Sequence, residues 1–195
     1  MAPADPTLAG SALLVMDLMQ GIAARYAEAG AGELLEALGG AIAAARHAGI
    51  PVIFVRIAFR EGYPEVSSRN RFFGTLQQRG GFSEADEATA IVAALGPEPG
   101  DITVLKRRVS AFTGSDLDVV LRAQGITTLV LTGISTSGVV LSTLREAADR
   151  DYGLIVLADG CLDADPEVHR VLMEKVFPRQ AEVTTVDDWC ARLLQ

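Results

Sequence analysis

The sequence is poor in the residues that mark several common classes of protein. Among 195 residues there are two cysteines and two histidines, and aromatic residues make up 6%. Two thiols do not make a disulfide framework, and two histidines far apart in sequence give little support for a zinc site. We therefore expect a reduced cytoplasmic protein with no metal and no other cofactor, and a bridge between Cys161 and Cys190 stays open as an alternative.

Positive charge and long apolar runs are also scarce. Lysine and arginine number 17 against 25 aspartates and glutamates, which gives a formal net charge of −8. A general nucleic-acid-binding surface needs concentrated cationic side chains, and a membrane span needs roughly 20 apolar residues in succession. The first residues also lack the basic and apolar regions of a signal peptide. The sequence thus predicts a small-molecule partner and neither a nucleic acid nor a membrane.

What the chain does contain is a regular alternation of short apolar runs and helical patterns. Such alternation predicts βαβ units and a doubly wound three-layer α/β/α sandwich around a six-stranded, mostly parallel sheet. No linker or repeat interrupts it, so residues 1–195 are predicted to form a single domain. The predicted strands are 12–17, 51–57, 102–105, 127–132, 153–158 and 182–186, and the predicted helices are 33–48, 84–95, 115–124, 137–151, 166–176 and 187–194.

The segment 58–83 breaks this alternation. It is rich in glycine and contains four arginines, one tyrosine and four phenylalanines. Loops of this length in a compact domain are usually functional or mobile. We interpret the segment in one of two ways. It is either a solvent-exposed loop, or it forms the wall or lid of a pocket, in its own subunit or in a neighbouring one.

Polar residues follow three of the predicted strands. Asp17 ends the first, Lys106 ends the third, and a small polar turn within Leu129–Thr143 follows the fourth. Ligands of open parallel sheets bind at the carboxyl ends of the strands. Taken singly, Asp17 is typical of a structural strand end and Lys106 of surface charge. Their joint placement predicts a carboxylate tuned by burial and by an ammonium for acid–base chemistry.

Four stretches of the chain resemble the isochorismatase-like hydrolases. They are VMD at 15–17, KRRVSAFTGSDLDVVLR at 106–122, TGISTSGVVLSTLREAADRDY at 132–152 and DPEVHRVLMEKVFPRQAEVTT at 165–185. The resemblance implies the α/β/α fold, an Asp–Lys–Cys apparatus, a cis peptide bond in the turn that helps to form an oxyanion hole, and a homo-oligomer, commonly a dimer or tetramer. The family includes nicotinamidases, carbamoyl-group amidases and vinyl-ether-cleaving isochorismatases.

The chain departs from the pattern of that family at three positions. Val139 stands where the resemblance places the cysteine, and Met19 stands where a glutamine is usual, unless the turn shifts by one residue and Gln20 compensates. A D-x-H metal element after the second strand is missing. The site residues implied by the resemblance are Asp17, Lys106 and Val139 for catalysis, and Gln20, Phe112, Ile134, Ser135 and Thr136 for substrate binding.

Other candidate reactive groups have plainer interpretations. Cys161 and Cys190 do not stand at the position of the nucleophile, and packing or surface roles are expected for both. Helix-surface or capping roles are expected for His47 and His169. The serines and threonines of the turn are expected to cap the helix that follows. A catalytic role for a serine would need an adjacent base as well.

Three functions follow from these residues. In the first, Asp17 protonates an isochorismate-like vinyl ether and water adds to the oxocarbenium ion, while Lys106 stabilises charge and arginines of segment 58–83 bind substrate carboxylates. The second is a catalytically inactive protein that binds a small molecule in the same pocket. The third is an amidase that uses Ser135 or Ser137 as its nucleophile.

Overall fold

Six parallel strands form one sheet in the computed structural model, which describes residues 8–193. The strand order is β3-β2-β1-β4-β5-β6, and all neighbouring strands are parallel. The predicted doubly wound fold is confirmed. The strands are β1 (Ser11–Met16), β2 (Val52–Ile57), β3 (Ile102–Lys106), β4 (Thr128–Ile134), β5 (Gly153–Leu162) and β6 (Glu182–Thr184). The α-helices of the described part are α1 (Gln20–Ala23), α2 (Ala31–His47), α3 (Arg71–Arg79), α4 (Leu117–Ala123), α5 (Leu141–Ala148), α6 (Pro166–Val171) and α7 (Val186–Leu193).

The sheet separates two apolar cores because successive residues of a strand point to opposite faces. In β1, Leu14 and Met16 belong to the core that contains α4, α5 and the residues following α6. Leu13 and Val15, which alternate with them, belong to the core that contains α2 and α7. Helices therefore cover both faces, which gives the three layers. Among the described residues, no helix combines the length and the apolar character needed to cross a membrane.

The predicted helix 84–95 is wrong. Two short 3₁₀ turns, Glu87–Thr89 and Ala93–Leu95, occupy this segment instead. Its backbone pairs with the start of α1, where the Gln20 amide donates to the Ala90 carbonyl at 2.9 Å. The helical periodicity of the segment is overridden because its backbone groups find tertiary partners rather than partners four residues away.

The segment 58–83 is more ordered than the sequence suggests, because it contains α3. The Asn70 side chain caps this helix by accepting a hydrogen bond from the Phe73 amide at 3.0 Å. Phe73 is 2% exposed. Its ring packs edge to face against Phe59 with the centroids 5.7 Å apart. The α3 helix is thereby fixed to a small aromatic cluster at the carboxyl end of the sheet.

A crevice opens where β1 and β4 lie side by side. The chain leaves β1 towards β2 but leaves β4 towards β5, so this is the switch point at which doubly wound sheets bind ligands. Gly133 of β4 pairs with Met16 of β1 and has φ of +133°. A Cβ atom at Gly133 would lie 2.1 Å from the Met16 carbonyl oxygen. Only glycine permits this close approach of the two strand ends.

Candidate active site

A buried ion pair lies at the carboxyl edge of the sheet. Lys106 at the end of β3 reaches past β2 to Asp17 at the end of β1, and Nζ lies 2.9 Å from Oδ2. The two side chains are 1% and 8% exposed. Asp17 has a left-handed backbone with φ of +57°, a conformation in which aspartate and asparagine are enriched among residues other than glycine. The structure thus brings together the two residues singled out at these strand ends.

The ammonium group of Lys106 is fully hydrogen-bonded. Besides its contact with Asp17, Nζ donates to the carbonyl oxygens of Arg108 at 2.9 Å and Val109 at 3.0 Å. Three partners match the three donors of an ammonium, so the group is held in one position as a cation. Lys106 is therefore placed to balance negative charge on Asp17, with no donor left over for another group.

Asp17 is an unusual carboxyl group. Burial raises its pKa above the ordinary value for aspartate, and the positive charge and hydrogen bond of Lys106 oppose this rise without cancelling it. Its Oδ1 atom is buried and has no hydrogen-bond partner among the described residues. A buried oxygen without a partner is costly when charged. The environment thus raises the affinity of this carboxyl group for a proton while a fixed cation lies beside it.

The turn after β4 forms the facing wall. The peptide bond between Ile134 and Ser135 is cis, at the place in the turn that the family resemblance implies. A π-helical turn, Thr136–Val140, follows and leads into α5. The Ser135 hydroxyl packs so closely on Gly138 that a Cβ atom there would lie 2.6 Å from Ser135 Oγ. Gly138 therefore leaves space for the serine hydroxyl.

A cavity of about 270 Å³ opens between the ion pair and this turn. Val139 lines it with a side chain that is 2% exposed, and neither Cys161 nor Cys190 reaches it. The space beside Asp17, Lys106 and Val139 is thus open rather than filled by side chains. Its walls are mainly apolar and consist of Asp17, Ile22, Arg25, Tyr26, Ile57, Phe72, Leu76, Phe82, Lys106, Val109, Ile134, Ser135, Gly138 and Val139.

Three of the residues assigned to substrate binding from the sequence do not line this cavity. Phe112 is 4% exposed and packs in the core against Tyr152, with the ring centroids 5.9 Å apart. Gln20 is exposed, and Met19 beside it is buried in the aromatic cluster. Thr136 is fully buried behind the cavity wall. Their sequence positions lie near the site, but their side chains do not line the cavity.

The imidazole of His169 supports the turn from behind. Its Nδ1 atom lies 2.8 Å from Thr136 Oγ1, and burial lowers its pKa while the charge of Asp163 opposes that shift. Asp163 in turn accepts a hydrogen bond from the Ser137 amide at 2.7 Å. His169, for which the sequence predicts a helix-surface or capping role, is therefore half-buried and bonded to the turn.

The thiol of Cys161 is unsuited to nucleophilic attack. It is buried, and its Sγ atom contacts the Leu131 carbonyl at 3.8 Å. Burial raises the pKa of this thiol far above its ordinary value, so it stays protonated. Cys161 faces a second cavity, of about 540 Å³, which shares Arg25 and Tyr26 with the first.

Arg25 and Tyr26 were not singled out from the sequence. They lie in a 3₁₀ turn, Ala24–Ala29, that follows α1 and folds back over the carboxyl end of the sheet. Burial raises the pKa of the Tyr26 hydroxyl, and a hydrogen bond with Ser135 opposes the rise. The one available signal was their position, a few residues beyond the end of the first strand.

Known proteins resemble this chain along most of its length. The isochorismatase domain matches residues 11–188. The ureidoacrylate amidohydrolase RutB of Methylobacterium radiotolerans is 38% identical over 163 residues, which cover 75% of this chain. The chain covers 62% of that relative's own length, less than two thirds. RutB of Pseudomonas syringae is 34% identical over an alignment that covers 92% of this chain and 82% of the relative.

The fold has a similar match among solved structures. An isochorismatase family protein from Burkholderia thailandensis superposes with a TM-score of 0.81 and 30% sequence identity, covering 95% of this chain and 96% of the other. The domain match spans all six strands and the whole ion-pair site. Sequence, fold and strand-end geometry agree: the chain belongs to the isochorismatase family.

Proposed function

We propose that this protein is a hydrolase of a small molecule and that it works without a covalent intermediate, with Asp17 as general acid. The observation that carries the proposal is the buried Asp17 carboxyl, whose pKa is raised, beside a fixed Lys106 cation and an open cavity. Val139 occupies the wall where the family resemblance places a thiol, and a valine side chain cannot attack a substrate.

The chemistry suits a substrate with an oxygen or nitrogen atom on a carbon–carbon double bond. The Asp17 carboxyl gives its proton to the double bond, and the lone pair of the heteroatom stabilises the resulting cation. Water adds to the cationic carbon and returns a proton to the Asp17 carboxylate. The adduct then breaks into a carbonyl compound and an alcohol or amine. Lys106 balances the transient negative charge on Asp17 throughout.

Isochorismate, a vinyl ether, is the first substrate to test. Ureidoacrylate is the second, because it is in the name of the relatives and because its ureido nitrogen is attached to a double bond. Protonation of that double bond releases intact urea and a carbonyl acid. Attack on the ureido carbonyl releases ammonia instead. Product analysis by NMR thus separates acid catalysis from amide hydrolysis, and ammonia without urea would contradict the proposed mechanism.

A serine-dependent amidase is the second candidate, because Ser135 lines the same cavity and hydrogen-bonds Tyr26. The relatives named as amidohydrolases add support to it. This candidate requires an acyl or carbamoyl adduct on Ser135, detectable by mass spectrometry after rapid quenching. The acid mechanism predicts an unmodified protein and a Ser135→Ala variant that still turns over the substrate. An adduct that disappears in Ser135→Ala would favour the amidase.

The pH dependence of turnover follows from the state of Asp17. A general acid works in its protonated form, and burial raises the Asp17 pKa above the ordinary aspartate value. We therefore expect kcat/KM to be level at low pH and to fall tenfold per pH unit once the pH exceeds that raised pKa. This is tested by measuring kcat/KM from the lowest pH at which the protein stays folded up to alkaline pH. An increase of kcat/KM with pH would instead make Asp17 a base.

A further inference from the structure

The mouth of the catalytic cavity carries a cluster of arginines. An adjoining cavity of about 470 Å³ is lined by Arg25, Arg71 and Arg79 together with Phe72, Thr75 and Leu76. Arg25, Phe72 and Leu76 also line the cavity that holds Asp17. The two cavities therefore adjoin at these shared residues, and Arg71 and Arg79 line only the cavity that does not contain the ion pair.

These arginines are not engaged in ion pairs within residues 8–193. The chain has 15 arginines, and most of the others bond to carboxylates or carbonyl groups of the protein. The guanidinium groups of Arg25, Arg71 and Arg79 form neither an ion pair nor a hydrogen bond with any described residue. In a chain with a net charge of −8, three such groups in one cavity are not accounted for by internal contacts.

The geometry of α3 aligns two of them. Arg71, Thr75 and Arg79 are spaced four residues apart, so they share one face of the helix. The Thr75 hydroxyl donates to the Arg71 carbonyl at 2.9 Å, which keeps this small side chain against the helix between the two arginines. Phe73 holds α3 in place from the opposite side, because it is buried in the aromatic cluster.

Arg25 approaches from a different segment. Its Cζ atom lies 5.3 Å from the centroid of the Phe82 ring, and Phe82 is buried in the wall of the catalytic cavity. A guanidinium held over an aromatic face keeps its N–H donors in its own plane, where they bind a carboxylate through two parallel hydrogen bonds. Arg25 is thus held at the junction of the two cavities.

We propose that Arg25, Arg71 and Arg79 form a subsite that binds a carboxylate of the substrate while the rest of the molecule extends along the apolar walls towards Asp17. The substrate class is then an unsaturated or cyclic carboxylic acid whose carboxylate binds at the arginines and whose reacting bond lies beside Asp17. The placing of the reacting bond rests on the proposed function. The binding of a carboxylate at the mouth does not.

Binding of benzoate and of its neutral isostere benzamide, measured by isothermal titration calorimetry, tests the subsite without turnover. We expect benzoate to bind about tenfold or more tightly than benzamide, because charge-assisted hydrogen bonds stabilise only the anion. The preference should decrease as salt is raised. Arg25→Gln and the double variant Arg71→Gln/Arg79→Gln should each reduce it, and Arg179→Gln, an exposed arginine outside the cavity, should retain it.

Equal affinities for benzoate and benzamide would overturn the subsite, and so would a preference for benzoate that persists in both cavity variants. Phenyl phosphate serves as a third probe, and its binding in place of benzoate would overturn the assignment to a carboxylate. Because these measurements need no chemistry at Asp17, an Asp17→Asn protein that binds benzoate normally but turns over nothing still has the subsite. Wild-type protein that hydrolyses a substrate but ignores benzoate contradicts the subsite alone.

Discussion

Replacing Asp17 with asparagine is expected to lower kcat/KM for hydrolysis by at least about 100-fold, the usual contribution of a general acid. Asparagine keeps the size of the side chain, tolerates the left-handed backbone at this position and still offers Lys106 an amide oxygen as hydrogen-bond acceptor, so the variant should fold. The amide cannot transfer a proton to the substrate. Steady-state rates with isochorismate and ureidoacrylate, together with benzoate affinity, separate the loss of chemistry from any loss of binding.

Asp151→Asn is the matched control for that experiment. Asp151 also has a left-handed backbone, with φ of +64°, but it is exposed and lies in the turn before β5. The two variants therefore make the same chemical change in the same backbone conformation. Asp151→Asn should retain wild-type rates. If Asp17→Asn retained them as well, Asp17 could not be the acid and the proposed function would fail.

Replacing Lys106 with methionine is expected to destabilise the fold at neutral pH by about 3–5 kcal/mol, the usual cost of removing one partner of a buried ion pair. Methionine preserves most of the volume of the side chain, so the loss reflects the buried Asp17 carboxyl group without its counter-ion and the carbonyl groups of Arg108 and Val109 without their donor. The free energy of unfolding from urea denaturation measures it. Activity should fall too, since the Asp17 carboxylate formed after proton transfer loses its cation.

The pH dependence of this destabilisation identifies its cause. Without Lys106, the one charge that lowers the Asp17 pKa in the structure is gone, so the pKa of the folded state rises further above the unfolded value of 3.8. The folded variant then binds a proton more tightly than the unfolded chain does, and its stability falls as pH rises between the two pKa values. Lowering the pH towards 3.8 should recover part of the loss.

Lys175, the other lysine of the chain, provides the control, because it is exposed near the end of the helical region after α6. Lys175→Met should change stability by no more than about 0.5 kcal/mol at any pH. A pH-independent loss in Lys106→Met would show that packing rather than charge was responsible. The interpretation of Lys106 as the counter-ion of Asp17 would then be wrong.

The sequence alone determined the layers of the protein and two residues of its candidate site. The alternation of apolar runs and helical patterns is a local property of the sequence. Because parallel strands joined by helices have few possible topologies, this alternation was enough to predict the parallel sheet. Asp17 directly follows β1, and Lys106 is the last residue of β3. Since carboxyl ends of parallel strands meet at one edge, their proximity could be predicted without coordinates.

Only the tertiary structure decided which other residues surround that pair. Arg25 and Tyr26 reach the cavity because a turn after α1 folds back over the sheet. Segment 84–95 pairs with the start of α1 instead of forming the predicted helix. Phe112 lies close to Lys106 in sequence yet packs into the core. These outcomes depend on contacts between segments far apart in the chain. The hydrophobic periodicity of a sequence depends on residues that are close along the chain, so it does not indicate which distant segments will come into contact after folding.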